Sequence, residues 1–175
     1  QSDAKRYYPY GSLAAHVIGF LDGDNHGAYG LEAIYEDDLD GKTGMAVTAR
    51  DASGADPLFQ FEQYYDAEDG NSLRLTIDAN IQSYVERGLE NMIHQFGAAN
   101  GAQGIVMDPR NGAILAIASS PSYDVNNPRE IFDPALQQRV GTEKENGELV
   151  TLGDMQRLQW RSKSVNDTYE PGSTY

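Results

Sequence analysis

At 175 residues the chain has room for one compact domain or two small ones, and 39% hydrophobic residues suffice for a core of ordinary size. Its 13 Lys and Arg against 27 Asp and Glu give a formal charge of -14, spread along the chain as a solvated surface, which repels phosphate backbones and anionic lipid headgroups and excludes a non-specific polyanion partner such as nucleic acid. The absence of cysteine excludes disulfides, thiol nucleophiles and zinc-thiolate sites, and no apolar run approaches the roughly 18 residues of a membrane span.

The chain opens Gln1-Ser2-Asp3-Ala4-Lys5, with neither an initiator Met nor a signal peptide, and reads as a stretch of something longer. Residues 1–44 are dense in Gly, Tyr and Asp, with apolar bursts such as Val17-Ile18-Gly19-Phe20 that suggest turns and short elements. The glycine turn Gly27-Ala28-Tyr29-Gly30 precedes a short helix with Leu31, Ile34 and Tyr35 on one face. Met45 to Arg50 and Leu58 to Tyr65, separated by the turn Ala52 to Pro57, read as an antiparallel pair of strands. After a polar connector from Asp66 to Ser72, the alternation of Leu73, Leu75 and Ile77 predicts a further strand, and a domain boundary is expected near residue 70.

Asp78 is placed to cap a helix whose apolar residues Ile81, Tyr84, Val85, Leu89, Met92, Ile93 and Phe96 recur at helical spacing, with Gly97 to stop it. Gly104 to Asp108 and Ala113 to Ala118 flank Pro109-Arg110-Asn111-Gly112, a strong hairpin signal. Both strands are apolar on both parities, so the hairpin is expected at the centre of a larger sheet in the whole protein, and these residues alone are expected to lack its covering partners. A polar stretch from Ser119 to about Met155 is broken by Pro121, Pro128 and Pro134, with one short helix around Pro134 to Val140. The chain then passes Trp160 and closes on Tyr169-Glu170-Pro171-Gly172-Ser173-Thr174-Tyr175.

That last block resembles the active-site segment of the class B penicillin-binding proteins, in which the next residue is lysine. The resemblance extends upstream in family order. Leu75-Thr76-Ile77-Asp78, Gly104-Ile105-Val106-Met107-Asp108-Pro109 and Pro121-Ser122-Tyr123-Asp124 are similar to the opening of the transpeptidase domain. Arg6-Tyr7-Tyr8-Pro9, His16-Val17-Ile18-Gly19 and Gly27 to Glu32 are similar to the pedestal, or dimerisation, domain before it, with a flavour closest to division or sporulation members. The implied fold is α+β: a β-rich pedestal piece over 1–70, then over 71–175 the N-terminal part of a serine β-lactamase-like transpeptidase domain that breaks off inside its Ser-x-x-Lys motif.

The resemblance makes Ser173 the nucleophile. A serine hydroxyl is a poor nucleophile at neutral pH and needs a base. Three residues on along a helix, a lysine amine lies on the same face, and desolvation keeps it neutral enough to accept the proton. Pro171 and Gly172 suit a helix entry, where the Ser173 amide can also donate to a developing oxyanion. The family implies acyl transfer from D-Ala-D-Ala stem peptides of peptidoglycan, acylation by β-lactams, no cofactor and no metal. It also implies a location on the outer face of the bacterial membrane, anchored by an N-terminal helix, with other cell-wall synthesis proteins and the rest of the transpeptidase domain as partners. The 175 residues alone, lacking the lysine and the later Ser-x-Asn and Lys-Thr-Gly motifs, are expected to be inactive. The alternative is a non-catalytic interaction module built on the pedestal.

Several patterns imitate sites. Lys42-Thr43-Gly44 lies upstream of the serine, where the family's Lys-Thr-Gly lies downstream, and reads as a structural turn. The stretch Asp22 to Gly27 has the wrong residue types at the fifth and twelfth positions for a calcium loop. His16, His26 and His94 lack metal-ligand spacing. Trp160 and Tyr169 read as packing around the serine helix, with walling of the active site as the alternative.

Overall fold

A computed structural model describes residues 6–48, 62–98, 101–144 and 146–168. In chain order the elements are α1 (Ala15–Ile18), α2 (Gly30–Ile34), α3 (Glu36–Leu39), β1 (Met45–Thr48), β2 (Glu62–Tyr65), α4 (Ala79–Phe96), β3 (Ala102–Met107), β4 (Ile114–Ser120), α5 (Pro134–Arg139), α6 (Leu152–Trp160) and α7 (Lys163–Asn166). The architecture is α+β, as expected. By packing, the described residues up to Ile34 group with those from Leu75 onward, while Tyr35–Arg74 form a second unit.

In the larger unit, α4 begins where its sequence predicts: the Asp78 carboxylate accepts from the amides of Asn80 at 2.9 Å and Ile81 at 3.0 Å. It ends at Gly97, whose φ of 64° suits glycine. The helix covers the antiparallel hairpin β3–β4, registered with Gly104 opposite Ala118 and Ile105 opposite Ile117. Gly104 permits the close approach, since a Cβ there would meet Val85 Cγ1 at 3.1 Å. Within α4 the apolar periodicity overstates the core: Leu89 is buried, but Tyr84, Met92 and Phe96 are exposed, and the most deeply buried residue is Gln82. The Gln82 side chain donates to Ile117 O at 2.9 Å and accepts from Ile117 N at 2.9 Å.

One expectation is corrected here. Leu73–Ile77 forms no strand; the segment reaches β4 through the Thr76 hydroxyl, 2.7 Å from Ile114 O, and the Asp78 amide, 2.9 Å from Leu115 O. The hairpin lacks part of its cover, as expected of these residues alone: α4 covers one side, Ile105 and Met107 are 53% and 54% exposed, and its sheet has two strands among the described residues.

The first described segment lies against the loop that follows β4. Asn126 accepts from Tyr8 N at 3.0 Å and donates to Tyr8 O at 2.9 Å. The Tyr123 hydroxyl donates to Ala15 O at 3.1 Å, Ser122 to Ser12 O at 3.3 Å, and Glu86 accepts from Ala14 N at 2.8 Å. Ala15, Phe20, Tyr123 and Val125 form a buried cluster flanked by Tyr29 and Trp160. The Trp160 ring lies 5.0 Å from Phe20 and 4.9 Å from Tyr29. Helix α2 forms, but its buried face is not the apolar one predicted: Ile34 is 75% exposed and Glu32 only 7%. The Glu32 carboxylate accepts from the Tyr8 hydroxyl and the Arg6 guanidinium, both at 3.1 Å.

The smaller unit holds α3 and the pair β1–β2, registered with Met45 opposite Tyr65 and Val47 opposite Gln63. The expected turn from Ala52 to Pro57 lies outside the described residues.

Candidate active site

Ser173 and its amide, together with Tyr169, lie outside the described residues. The described residues supply the scaffold that leads to them. Helix α6 starts with a capping box in which Thr151 Oγ1 accepts from Asp154 N at 3.1 Å and Asp154 accepts from Thr151 N at 2.9 Å. Lys144 adds an ion pair at 2.9 Å, and the Asp154 carboxyl is held well below its ordinary value, first by the Thr151 amide and then by Lys144. Helix α7 is pinned to the end of β4: Lys163 N donates to Ser119 Oγ at 3.1 Å and Ser164 Oγ donates to Ala118 O at 3.3 Å. Arg161 closes the far end of α7 by pairing with Asp167 and donating to Asn166 O at 2.7 Å.

A polar cleft of about 340 Å³ is lined by His16, Gly101, Asp133, Arg139, Lys163 and Asp167 among others. His16 Nε2 sits 3.0 Å from Gln159 O, so in the neutral ring this nitrogen carries the proton. Burial pushes the His16 pKa down, the Gln159 carbonyl opposes this, and Lys163 adds to it. Burial likewise lowers Lys163, against the carboxylates of Asp167 and Asp133. A wider cleft of about 860 Å³ lies between α4 and the loops around Tyr10 and Ser122, with Glu90, His94, Asp124 and Asp133 on its walls. Among the described residues no group of three His, Cys, Asp or Glu side chains is gathered to hold a metal.

The imitating patterns have structural partners. Lys42 exchanges main-chain hydrogen bonds with Glu68 at 2.8 and 3.0 Å, and its ammonium pairs with the Glu68 carboxylate at 2.6 Å. The Asp22 carboxylate accepts from the amides of Asp24 and His26, closing a turn. Trp160 packs on Phe20 and Tyr29 and donates to Pro128 O at 2.7 Å.

Sequence reasoning missed α6 and the residues that pin the approach to the serine, notably Gln159, Ser119 and Ser164. A signal for α6 was present, since Thr151-x-x-Asp154 ahead of Met155 and Leu158 is a helix-start pattern. Nothing local marks Ser119 or Ser164, whose partners are more than 40 residues away.

Comparison with known proteins gives these elements a family. Residues 1–75 match the penicillin-binding protein dimerisation domain, and residues 103–175 match the penicillin-binding protein transpeptidase domain. The chain belongs to the class B penicillin-binding proteins. It is 36% identical over 173 residues to stage V sporulation protein D of Bacillus subtilis, covering 99% of this chain and 23% of that protein. It is 30% identical over 174 residues to the peptidoglycan D,D-transpeptidase FtsI of Escherichia coli, covering 99% of this chain and 25% of that one. Penicillin-binding protein 3 of Mycobacterium tuberculosis, solved with aztreonam, superimposes with a TM-score of 0.54 at 31% identity over 70% of this chain and 23% of that one. The chain thus spans about a quarter of the length of the curated relatives it matches.

Proposed function

We propose that the whole protein is a serine-type D,D-transpeptidase that cross-links peptidoglycan. What carries the reading is the block Tyr169-Glu170-Pro171-Gly172-Ser173, inside the stretch matched by the transpeptidase domain. Ser173 Oγ attacks the carbonyl between the last two D-alanines of a stem peptide. An ester forms, the C–N bond breaks, and terminal D-alanine leaves with a proton. An amine of a neighbouring stem peptide then attacks the ester, forming the cross-link amide and returning the proton to Ser173. The base is a lysine three residues beyond Ser173, supplied by chain outside these 175 residues, which by themselves are inactive on this reading. The Ser173 amide, at a helix start, donates to the oxyanion. The chemistry of the substrate places the protein on the outer face of the bacterial membrane, held there by a helix outside this stretch. β-Lactams acylate the same serine, a reading supported by the aztreonam complex of the relative.

The match of residues 1–75 to a dimerisation domain favours a second reading, a non-catalytic module for other cell-wall synthesis proteins. Incubating the whole protein with a fluorescent penicillin separates the two. A covalent adduct that maps to Ser173 and disappears in Ser173→Ala is expected; an intact protein that forms no adduct rules out the enzymatic reading.

A further inference from the structure

The wider cleft runs along the second half of α4. Its helical wall extends from Glu90 to Gly97, about 10 Å at the rise of an α-helix, which is the length of about three residues of extended chain. Tyr10 to Ser12 close it from the stretch matched by the dimerisation domain, and Ser120 to Asp124 with Phe132 to Ala135 close it from the stretch matched by the transpeptidase domain. Its volume of about 860 Å³ is that of a site able to enclose a ligand.

Two features decide what fits. Among its described lining residues are three carboxylates, Glu90, Asp124 and Asp133, and no Lys or Arg. Asp124 and Asp133 are half-buried and fixed in place: Asp124 accepts from Asn126 N at 2.9 Å and Asn126 Nδ2 at 3.1 Å, and Asp133 accepts from Ala135 N at 2.9 Å. Carboxylates already oriented in this way recognise a cation without the cost of ordering them. The second feature is apolar. Tyr10 and Phe132 line the groove and are 74% and 40% exposed. Aromatic faces attract ammonium and guanidinium groups, and a patch of apolar surface left in water marks a contact site. Both features select a basic occupant with apolar side chains. A second copy of this chain, at a formal charge of -14, brings the wrong sign.

We propose that this groove is a docking site for a basic segment of a partner protein, about three extended residues long, in which Lys or Arg alternates with an apolar residue. The cationic groups meet Glu90, Asp124 and Asp133, and the apolar ones lie against Tyr10 and Phe132. Because its walls come from both matched stretches, the bound segment clasps one to the other. The proposal stands on the groove and does not depend on acylation of Ser173.

The test uses the whole protein and a fluorescent, end-blocked pentapeptide, Lys-Leu-Arg-Leu-Lys, with anisotropy reporting affinity and amide exchange reporting location. Saturable binding is expected, with slowed exchange at Tyr10 to Ser12 and Ser122 to Asp124. Glu90→Lys, at an exposed position, is expected to weaken binding about tenfold, and Tyr10→Ala about threefold. Asp37→Lys, at an exposed position of the smaller unit, makes the same change in net charge and stays within about twofold. Absence of saturable binding overturns the proposal. So does an equal fall in Asp37→Lys, equal affinity for Glu-Leu-Glu-Leu-Glu, or slowed exchange confined to other parts of the protein. Penicillin labelling of the same sample tests the enzymatic reading separately.

Discussion

The side-chain amide of Gln82 pairs with the main chain of Ile117 as a neighbouring strand would, donating one hydrogen bond and accepting the other, each at 2.9 Å. Because the Ile117 N–H and C=O point at Gln82, they point away from β3, so Ile105 and Ile117 form the non-hydrogen-bonded type of antiparallel pair. One buried glutamine thus completes an edge of the hairpin and bolts α4 to it.

Replacing Gln82 by leucine keeps the bulk and strips both bonds, leaving a main-chain donor and acceptor of Ile117 unpaired beneath the helix. The cost is expected to be about 2–4 kcal/mol, because each orphaned buried group loses its hydration without return. Denaturant titration of the whole protein checks the magnitude, and amide exchange at Ile117 checks the location. An unchanged midpoint with unchanged exchange would show that the pair is incidental.

Gly19 and Gly30 cross at van der Waals limits. Gly19 has φ of 76°, and a Cβ built on it would run into the Tyr29 carbonyl, while one built on Gly30, with φ of 65°, would lie 2.6 Å from Gly19 N. Gly19→Ala therefore combines a disfavoured backbone conformation with a collision against main chain, and is expected to cost about 3 kcal/mol or more. A melting temperature within error of the parent would contradict the crossing.

Stability also depends on pH. Burial raises the Glu86 pKa, hydrogen bonds from Gln82 and the Ala14 amide oppose this, and nearby Glu90 raises it further. The folded protein keeps this proton at pH values where the unfolded chain has released it. The stabilisation is complete below the ordinary Glu value of about 4.3 and is lost as pH rises through the folded value. His16 runs the other way: burial lowers its pKa, so its contribution is present above the ordinary imidazole value and is lost as pH falls from there through the lowered folded value. Comparing Glu86→Gln with the parent isolates the first effect. Both bonds fall on a single oxygen of Glu86, which glutamine retains without the charge. The melting temperature of the variant relative to the parent should climb as pH rises from about 4 to 7; parallel profiles would refute the assignment.

Local grammar made part of this fold readable. Asp78 and Gly97 bracket α4 because capping is a matter of a few neighbouring atoms, and the Asn111-Gly112 turn joins β3 to β4 for the same reason. The faces were harder. Ile34, Tyr84 and Phe96 look like core by spacing and are exposed, while Glu32, Gln82 and Gln159 look like surface and are buried. Burial of a polar side chain depends on partners such as Tyr8, Ile117 and Phe132, which lie 24 to 35 residues away, so spacing along one helix does not encode it. Ser173 is a reading of its sequence block and lies outside the described residues, whereas the hydrogen bonds at Ser119, Ser164 and Gln159 become visible only once β4, α6 and α7 are folded together.

The contacts that bind residues 8–15 share an asymmetry. Asn126, Glu86, Tyr123 and Ser122 contribute side chains, whereas Tyr8, Ala14, Ala15 and Ser12 contribute peptide groups. Peptide groups are the same in every residue except proline. Evolution is therefore free to rewrite an exposed letter such as Ser12, whereas Tyr8, whose hydroxyl also reaches Glu32, the buried Ala14 and Ala15, and the four residues that grip the stretch have little latitude.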